Sequence, residues 1–224
     1  MAPSKVLVVL SGGLDSTVLL TRAVRMFGPD NVAAVTFRYG SKHEDKEVEA
    51  AVAVAGYFSV PHIIISLDFI HKYFTSALLA SDARSIPEGH YEAENMRQTV
   101  VPARNSIMLT IASGIAASYG IDTVWIGVHG GDHAIYPDCR PAFIEAMGAV
   151  YHFAGNQPLN LDAPFLYHRK HDITLLGAGL GAPMHLSWSC YKGGEKHCGK
   201  CGTCVERKEA FALAKIPDPT IYEA

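Results

Sequence analysis

Apolar and polar positions follow two different periods along this chain. Short apolar runs with β-branched residues lie at 6–10, 32–37, 62–65 and 122–128; each reads as a strand, the first of them buried. Between them, apolar residues recur every three or four positions. Over 44–57, Val48, Ala51, Val52 and Ala55 mark one face of a helix. Further helices are predicted over 16–27, 69–79, 106–119, 141–153, 171–180 and 203–214. Pro141 takes the first-turn position that proline favours, and Gly181 stands where the helix before it ends. The segment 106–119 is apolar nearly all round, which predicts burial on most sides. Residues 81–101 are polar and rich in turn formers, which predicts a long loop.

Strand–helix alternation at this spacing predicts an α/β fold: a doubly wound, Rossmann-like parallel sheet with helices on both faces. The chain of 224 residues fits one domain with a small appendage, and 49% hydrophobic residues supply a large core. The sharpest compositional change falls near Trp188, which divides a main domain, 1–187, from a short C-terminal segment, 188–224. A net charge of −3 argues against a protein that tracks a nucleic-acid backbone. No apolar run reaches the length of about 18 residues that a membrane span needs. The first apolar run enters a glycine turn instead of a leader cleavage site, so a cytoplasmic protein without a leader is expected.

The glycine turn is Ser11-Gly12-Gly13-Leu14-Asp15-Ser16, between a predicted strand end and a predicted helix start. Successive backbone N–H groups in such a turn form an anion nest, and the helix start adds its own free N–H groups. Gly12 and Gly13 would let the backbone approach the anion closely. Ser11, Ser16 and Thr17 add hydroxyl donors. Asp15 beside a phosphate calls for Mg²⁺ or for a capping role. The plainer alternative is a tight strand-to-helix turn capped by Asp15 or Ser16. The lysine of the commonest phosphate loop is missing.

Four of the five cysteines, Cys190, Cys198, Cys201 and Cys204, cluster near the C-terminus. Their spacing suits a closed tetrahedral Zn²⁺ site, whose role would be structural. An iron–sulfur cluster is the alternative. His197 is adjacent but redundant beside four thiolates. Cys139, far off in sequence, reads as a small buried apolar residue.

The string S-G-G-x-D-S resembles the signature of the PP-loop ATP pyrophosphatases. Together with TVVPARNSIML, YPDCRPAFIEAM, LSWSCYKGG and CGKCGTC, it resembles the 7-cyano-7-deazaguanine synthase (QueC) family over nearly the whole chain. The resemblance implies an adenine nucleotide alpha hydrolase-like fold and a ligase that forms carbon–nitrogen bonds. Its small-molecule substrates would be 7-carboxy-7-deazaguanine, ammonia and ATP. ATP would adenylate first the carboxylate and then the amide, leaving the nitrile that serves queuosine biosynthesis. It also implies a homodimer, with no nucleic-acid or membrane partner. The family's ATP-binding segment falls on Leu10, Ser11, Gly12, Gly13, Leu14, Asp15, Ser16, Thr17, Val18, Leu19 and Leu20. Thr36, Phe37 and Arg38 fall near the adenine, and Asn105 falls beside the nucleotide. Asp15, Ser16, Arg104 and Lys170 are the candidate catalytic residues, with Lys170 supplying the missing lysine from a distant segment. Arg104, His129, Asp132, Tyr136 and Asp138 are the candidate contacts to the deazapurine, with Asp132 or Asp138 accepting from its guanine-like edge.

His129 and His133 depart from the family's usual N-x-x-D-x-S-G-Y-P-D-C. A metal-binding histidine pair is one reading of them, and a hydrogen-bonding loop is the one preferred. The charged run FRYGSKHEDKEVEAA reads as a solvated helix face. The rival functions are a tRNA thiolase, an amidotransferase-like ligase, or an ATP-binding zinc module without catalysis.

Overall fold

The computed structural model describes residues 5–153 and 157–223. Five parallel strands form one sheet: β1 (Val6–Val9), β2 (Val32–Arg38), β3 (His62–Ser66), β4 (Thr123–Trp125) and β5 (Asn160–Asp162). Their order is β3-β2-β1-β4-β5. The chain winds outward from β1 to β3, then returns to the other side of β1 at β4. The direction of winding therefore reverses between β1 and β4. In sheets of this kind a crevice opens beyond the carboxyl ends of those strands.

The alternation of side chains explains the two cores. Val6, Val8, Leu10, Val32 and Ala34 face one layer, while Leu7, Val35 and Phe37 face the other. The first layer holds α1 (Leu14–Phe27), α2 (Glu44–Phe58) and α6 (Lys170–Leu180), through Val18, Leu19, Val54 and Ile173. The second holds α4 (Arg104–Tyr119) and α5 (Pro141–His152), through Leu109, Ala112, Ile144 and Tyr151. The short α3 (Asp68–Tyr73) also contributes Ile70 to this layer. The last helix, α7 (Gly202–Ala214), joins the first layer through Phe211.

Three expectations are corrected, and one strand was not foreseen. The helix over 69–79 ends at Tyr73. Ala77, Leu78 and Leu79 are fully buried but not helical. Their backbone instead bonds other segments, with Lys42 N–H donating to Leu78 O at 2.8 Å and Ala77 N–H donating to Gln98 O at 2.8 Å. The strand over 122–128 is only three residues long, because beyond Trp125 the chain turns into the crevice. Strand β5, Asn-Leu-Asp at the sheet edge, carries too few apolar residues to signal itself. Finally, α4 is not buried on most sides: Tyr119 is 68% exposed, and Thr110, Gly114 and Ser118 face outward.

The loop 81–101 is ordered around a short 3-10 turn, Glu94–Thr99, and buries Tyr91 and Met96. It covers the cysteine segment, with Gly89 N–H donating to Lys200 O at 3.1 Å. A Cβ on Gly202 would lie 2.8 Å from Met96 Sδ, so the two segments are in close contact.

Candidate active site

The glycine turn follows β1 directly. Helix α1 begins at Leu14 with Gly13 as its N-cap and no side-chain cap, so neither Asp15 nor Ser16 caps it. Among the described residues, the N–H groups of Leu14, Asp15 and Ser16 meet no backbone acceptor. These are the orphan donors of a helix start, aimed at the crevice. Ser16 Oγ donates to Gly13 O at 3.2 Å and accepts from Ser11 N–H at 3.2 Å. Ser11 Oγ lies 3.1 Å from Ser16 Oγ and accepts from Gly13 N–H at 3.3 Å. These bonds lock the turn into a preformed, donor-lined cradle.

Gly12 has a role the sequence reading did not give it. At φ +82° its hydrogen faces α2, and a Cβ there would lie 2.2 Å from Glu47 O and 2.9 Å from Ala51 N. The glycine is needed for close packing of the loop on α2, not for access by an anion. Trp188 N–H donates to Gly12 O at 2.9 Å, which pins the loop from the C-terminal segment as well.

A cavity of about 200 Å³ opens over this loop. Ser11, Gly13, Leu14, Asp15 and Ser16 form its floor, and Leu10, Thr36 and Phe37 line one side. Arg104, Asn105, Asp132, Tyr136 and Lys170 also line it, so candidates from five separate segments meet in one space. Gly12, Thr17, Val18, Leu19 and Leu20 lie outside the lining; the last four are fully buried and hold α1 against the sheet. Arg38 also lies outside, paired with Glu44 at 3.1 Å and Asp45 at 3.0 Å.

Lys170 is the first residue of α6. Its Nζ lies 3.0 Å from Asp15 Oδ2 and 2.8 Å from Glu206 Oε2. Burial alone would disfavour its charge, but Asp15, Glu206 and Asp132 outweigh burial and hold the ammonium firmly protonated. For Asp15, burial pulls the pKa up, and Lys170, 3.0 Å away, more than reverses it, so the carboxyl sits below its ordinary value. Asp15 Oδ1 is buried without a partner. Burial holds the Glu206 carboxyl above its ordinary value, against the pull of Lys170.

His129 caps the 3-10 turn Gly130–Ala134. Its Nδ1 accepts from Gly131 N–H at 3.1 Å, which places the hydrogen of the neutral ring on Nε2. That Nε2 faces Asp132, Asp15 and Glu206 at 3.7, 3.8 and 3.9 Å and has no hydrogen-bond partner. Asp132 accepts from His129 N–H at 3.0 Å and from Tyr91 OH at 2.9 Å. Hydrogen bonds thus tie His129 and Asp132 into this loop, and among the described residues neither His129 nor His133 belongs to a metal-spaced group of three or more ligands.

Arg104, in the first turn of α4, points Nη1 at Tyr39 OH at 3.3 Å. Burial pushes the Tyr39 phenol up to about 12, so it remains a neutral partner. Asp138 faces away from the cavity: its Oδ2 accepts from Asn105 N–H at 3.0 Å and so caps α4. Asn105 Nδ2 donates back to Asp138 O at 3.0 Å. Tyr136 OH lies 2.7 Å from Thr99 Oγ1. Cys139 is buried in the wall, and burial pushes its thiol well up, so it lines the cavity without acting as a thiolate.

The sequence reading missed Glu206, Tyr91 and Glu47. Glu47 sits in the run read as a solvated face, Tyr91 in the predicted loop and Glu206 on the predicted last helix, yet Tyr91 and Glu47 line the cavity and Glu206 reaches Lys170. The charged run beginning α2 is not simply a solvated face: Glu44 accepts from Gly40 N–H at 2.6 Å, and His43 is buried beside Glu47 at 3.4 Å.

Cys190, Cys198, Cys201 and Cys204 are all buried and unpaired by disulfide. Their sulfurs lie within 4.8 Å of one another, a spacing that fits one metal ion. The backbone supports this donor set: Cys198 N–H points at Cys190 Sγ at 3.4 Å, and Cys201 N–H at Cys198 Sγ at 3.3 Å. Such N–H···S bonds favour the thiolate form that a metal requires.

Sheet order, loop and lysine together define a nucleotide-binding α/β protein of the PP-loop class. The fold matches NMN synthetase from Francisella tularensis with a TM-score of 0.50 at 14% identity, covering 96% of this chain and 79% of that one. A family model, "Queuosine biosynthesis protein QueC", matches residues 5–215, and the chain belongs to that family. The chain is 49% identical over 222 residues to a 7-cyano-7-deazaguanine synthase from Brucella anthropi, covering 98% of this chain and 94% of that protein. A Porphyromonas gingivalis protein of the same name is also 49% identical, over 97% of this chain and 96% of its own length. No helix among the described residues is long and apolar enough to cross a membrane.

Proposed function

We propose that this chain is a 7-cyano-7-deazaguanine synthase. It converts 7-carboxy-7-deazaguanine and ammonia to the nitrile through two successive adenylations by ATP. The observation that carries the reading is the single cavity in which a preformed loop of free N–H donors, Lys170 and Arg104 face one another. The loop holds the β and γ phosphates, which leave as pyrophosphate. Holding the leaving group there exposes the α phosphate to an oxygen nucleophile from the substrate side. Lys170 takes the place of the missing loop lysine and neutralises the charge that builds on pyrophosphate. Arg104 receives the substrate carboxylate, since a guanidinium pairs with it through two parallel bonds. The deazapurine lies against Tyr136, with Asp132 and His129 at the turn beneath it, while Asp138 serves indirectly by capping the helix that presents Arg104.

Two ions fit the residues present. Zn²⁺ suits four buried thiolates, where it would staple residues 188–224 onto the main domain, 1–187. Mg²⁺ suits Asp15, whose buried Oδ1 lacks a partner and whose charge is retained. Bound there, Mg²⁺ would supply charge neutralisation for the triphosphate. We expect a cytoplasmic homodimer.

The test is to incubate the protein with Mg-ATP, an ammonium salt and 7-carboxy-7-deazaguanine, and to follow deazapurine and nucleotide products by mass spectrometry. The expected products are the nitrile and AMP, two AMP for each nitrile formed. ADP in place of AMP, or ATP binding without any new deazapurine, would overturn the reading.

A further inference from the structure

Helix α7 carries two functions on two faces. Cys204 turns toward the cysteine cluster, and Glu206 comes two residues later. At about 100° per residue, that places Glu206 on the opposite side of the helix. The Glu206 carboxylate is 13% exposed; Oε2 lies 2.8 Å from Lys170 Nζ, and Oε1 lies 3.9 Å from His129 Nε2. A glutamate of the cysteine-bearing segment thus reaches the lysine that lines the cavity.

Lys170 needs such a partner. It is nearly buried and stands at the first position of α6, where the positive end of the helix dipole opposes a cation. Asp15 and Glu206 reach it from α1 and α7 and fix Nζ from two directions. The Tyr91 ring sits 5.8 Å away on a third side. Without Glu206, Asp15 is the one anion among the described residues left in direct contact, and the ammonium would settle against it and away from the phosphates.

We infer that Glu206 is a positioning residue: from a helix anchored at the cysteine site, it holds Lys170 where the triphosphate of ATP must lie. This rests on the reading that Lys170 serves ATP.

The test is a double-substitution cycle in the full-length, metal-loaded protein, using Glu206→Gln, Lys170→Met and the pair. The readout is equilibrium binding of a non-hydrolysable ATP analogue with Mg²⁺, which does not depend on the identity of the second substrate. Two mechanisms give opposite signs. If Glu206 were only a nearby negative charge, its neutralisation would relieve repulsion and tighten ATP binding. A positioning role predicts that E206Q weakens the analogue about 10-fold, the cost of a misplaced charge-assisted bond. On the Lys170→Met background, E206Q should then change affinity less than about twofold, because the residue it acts through is gone. Metal content, melting temperature and the KM for the deazapurine should stay as in the unsubstituted protein. Unchanged or tighter binding by E206Q, metal loss, or a full additional loss on the Lys170→Met background would each overturn the inference. Failure of the unsubstituted protein to make the nitrile would overturn the proposed reaction instead and leave the binding cycle readable.

Discussion

Gly12→Ala separates the packing role of the loop glycine from an anion-binding role. At φ +82° an L-residue strains the backbone by about 1–2 kcal/mol. The new methyl would also stand 2.2 Å from Glu47 O and 2.9 Å from Ala51 N, both backbone atoms of α2 that cannot rotate away. Overpacking of that kind costs about 1–3 kcal/mol, while the stiffer unfolded chain returns about 0.4–1 kcal/mol. The net is a destabilisation of about 2–4 kcal/mol, or about 4–16 °C in melting temperature for a domain of this size. Gly13→Ala is the control. Gly13 has φ −73° and ψ 170°, open to any residue, and its Cβ would meet only Ser11 Oγ at 3.3 Å and Trp188 O at 3.7 Å. Its melting temperature should stay within about 2 °C, while its methyl at the cradle weakens ATP binding. Thermal and urea unfolding followed by circular dichroism, with titration of an ATP analogue, reads both effects. A Gly12→Ala protein that melts normally, beside a Gly13→Ala protein that does not, would refute the packing argument.

Four further outcomes are expected. Asp15→Asn should lower nitrile formation by about 100-fold or more with little change in melting, because the charge facing Mg-ATP is lost from a preformed site; full activity would refute the loop assignment. Cys201→Ser should release the metal, measured by mass spectrometry of the bound element, and cost about 3 kcal/mol or more of stability; retained stoichiometric metal and normal melting would refute the four-thiolate site. Arg104→Lys should raise the KM for the carboxylate substrate about 10-fold while the KM for ATP moves little, since an ammonium cannot make the paired contact; an equal rise in both would place Arg104 on the nucleotide. Burial holds the His62 imidazole below its ordinary value of 6.5. The unfolded chain therefore binds this proton first, and stability should be full above pH 6.5 and fall as pH drops toward the lowered folded value. His62→Gln should flatten that part of a stability–pH curve, and an unchanged slope would show that another group sets it.

Local chemistry was legible in the sequence, and long-range contact was not. Strands β1 and β2 announced themselves because a strand buried on both faces needs an unbroken apolar run, and 6–10 and 32–37 supply one; the edge strand β3 showed through the β-branched run at 62–65. The loop and the cysteine cluster were legible because each is a short segment whose spacing nearly dictates its geometry. The edge strand β5 offered no such run. Residues 77–79 carried apolar character without period, and that character marks burial and not helix. Their turn is held by hydrogen bonds to Lys42 and Gln98, distant in sequence.

The same distinction explains which site residues stayed hidden. Ser11, Asp15 and Ser16 lie inside one motif, and Lys170 could be placed by resemblance. Glu206 occupies a position on the predicted last helix that no motif marks. It becomes part of the site because α7 packs beside α6 and turns that one carboxylate inward onto Lys170 at 2.8 Å. Asp138 shows the reverse. Its motif placed it at the substrate, yet its Oδ2 is engaged 3.0 Å from the backbone of α4. A motif marks which residues a site cannot do without, and not which of them touch the ligand. A capping aspartate that sets the direction of Arg104 is as constrained as the arginine itself. On this argument Asp138→Asn, which can still accept from Asn105 N–H, should keep most activity, whereas Asp138→Ala should lose it together with about 1 kcal/mol of stability. Equal and complete loss from both, with stability untouched, would instead put the carboxylate on the substrate.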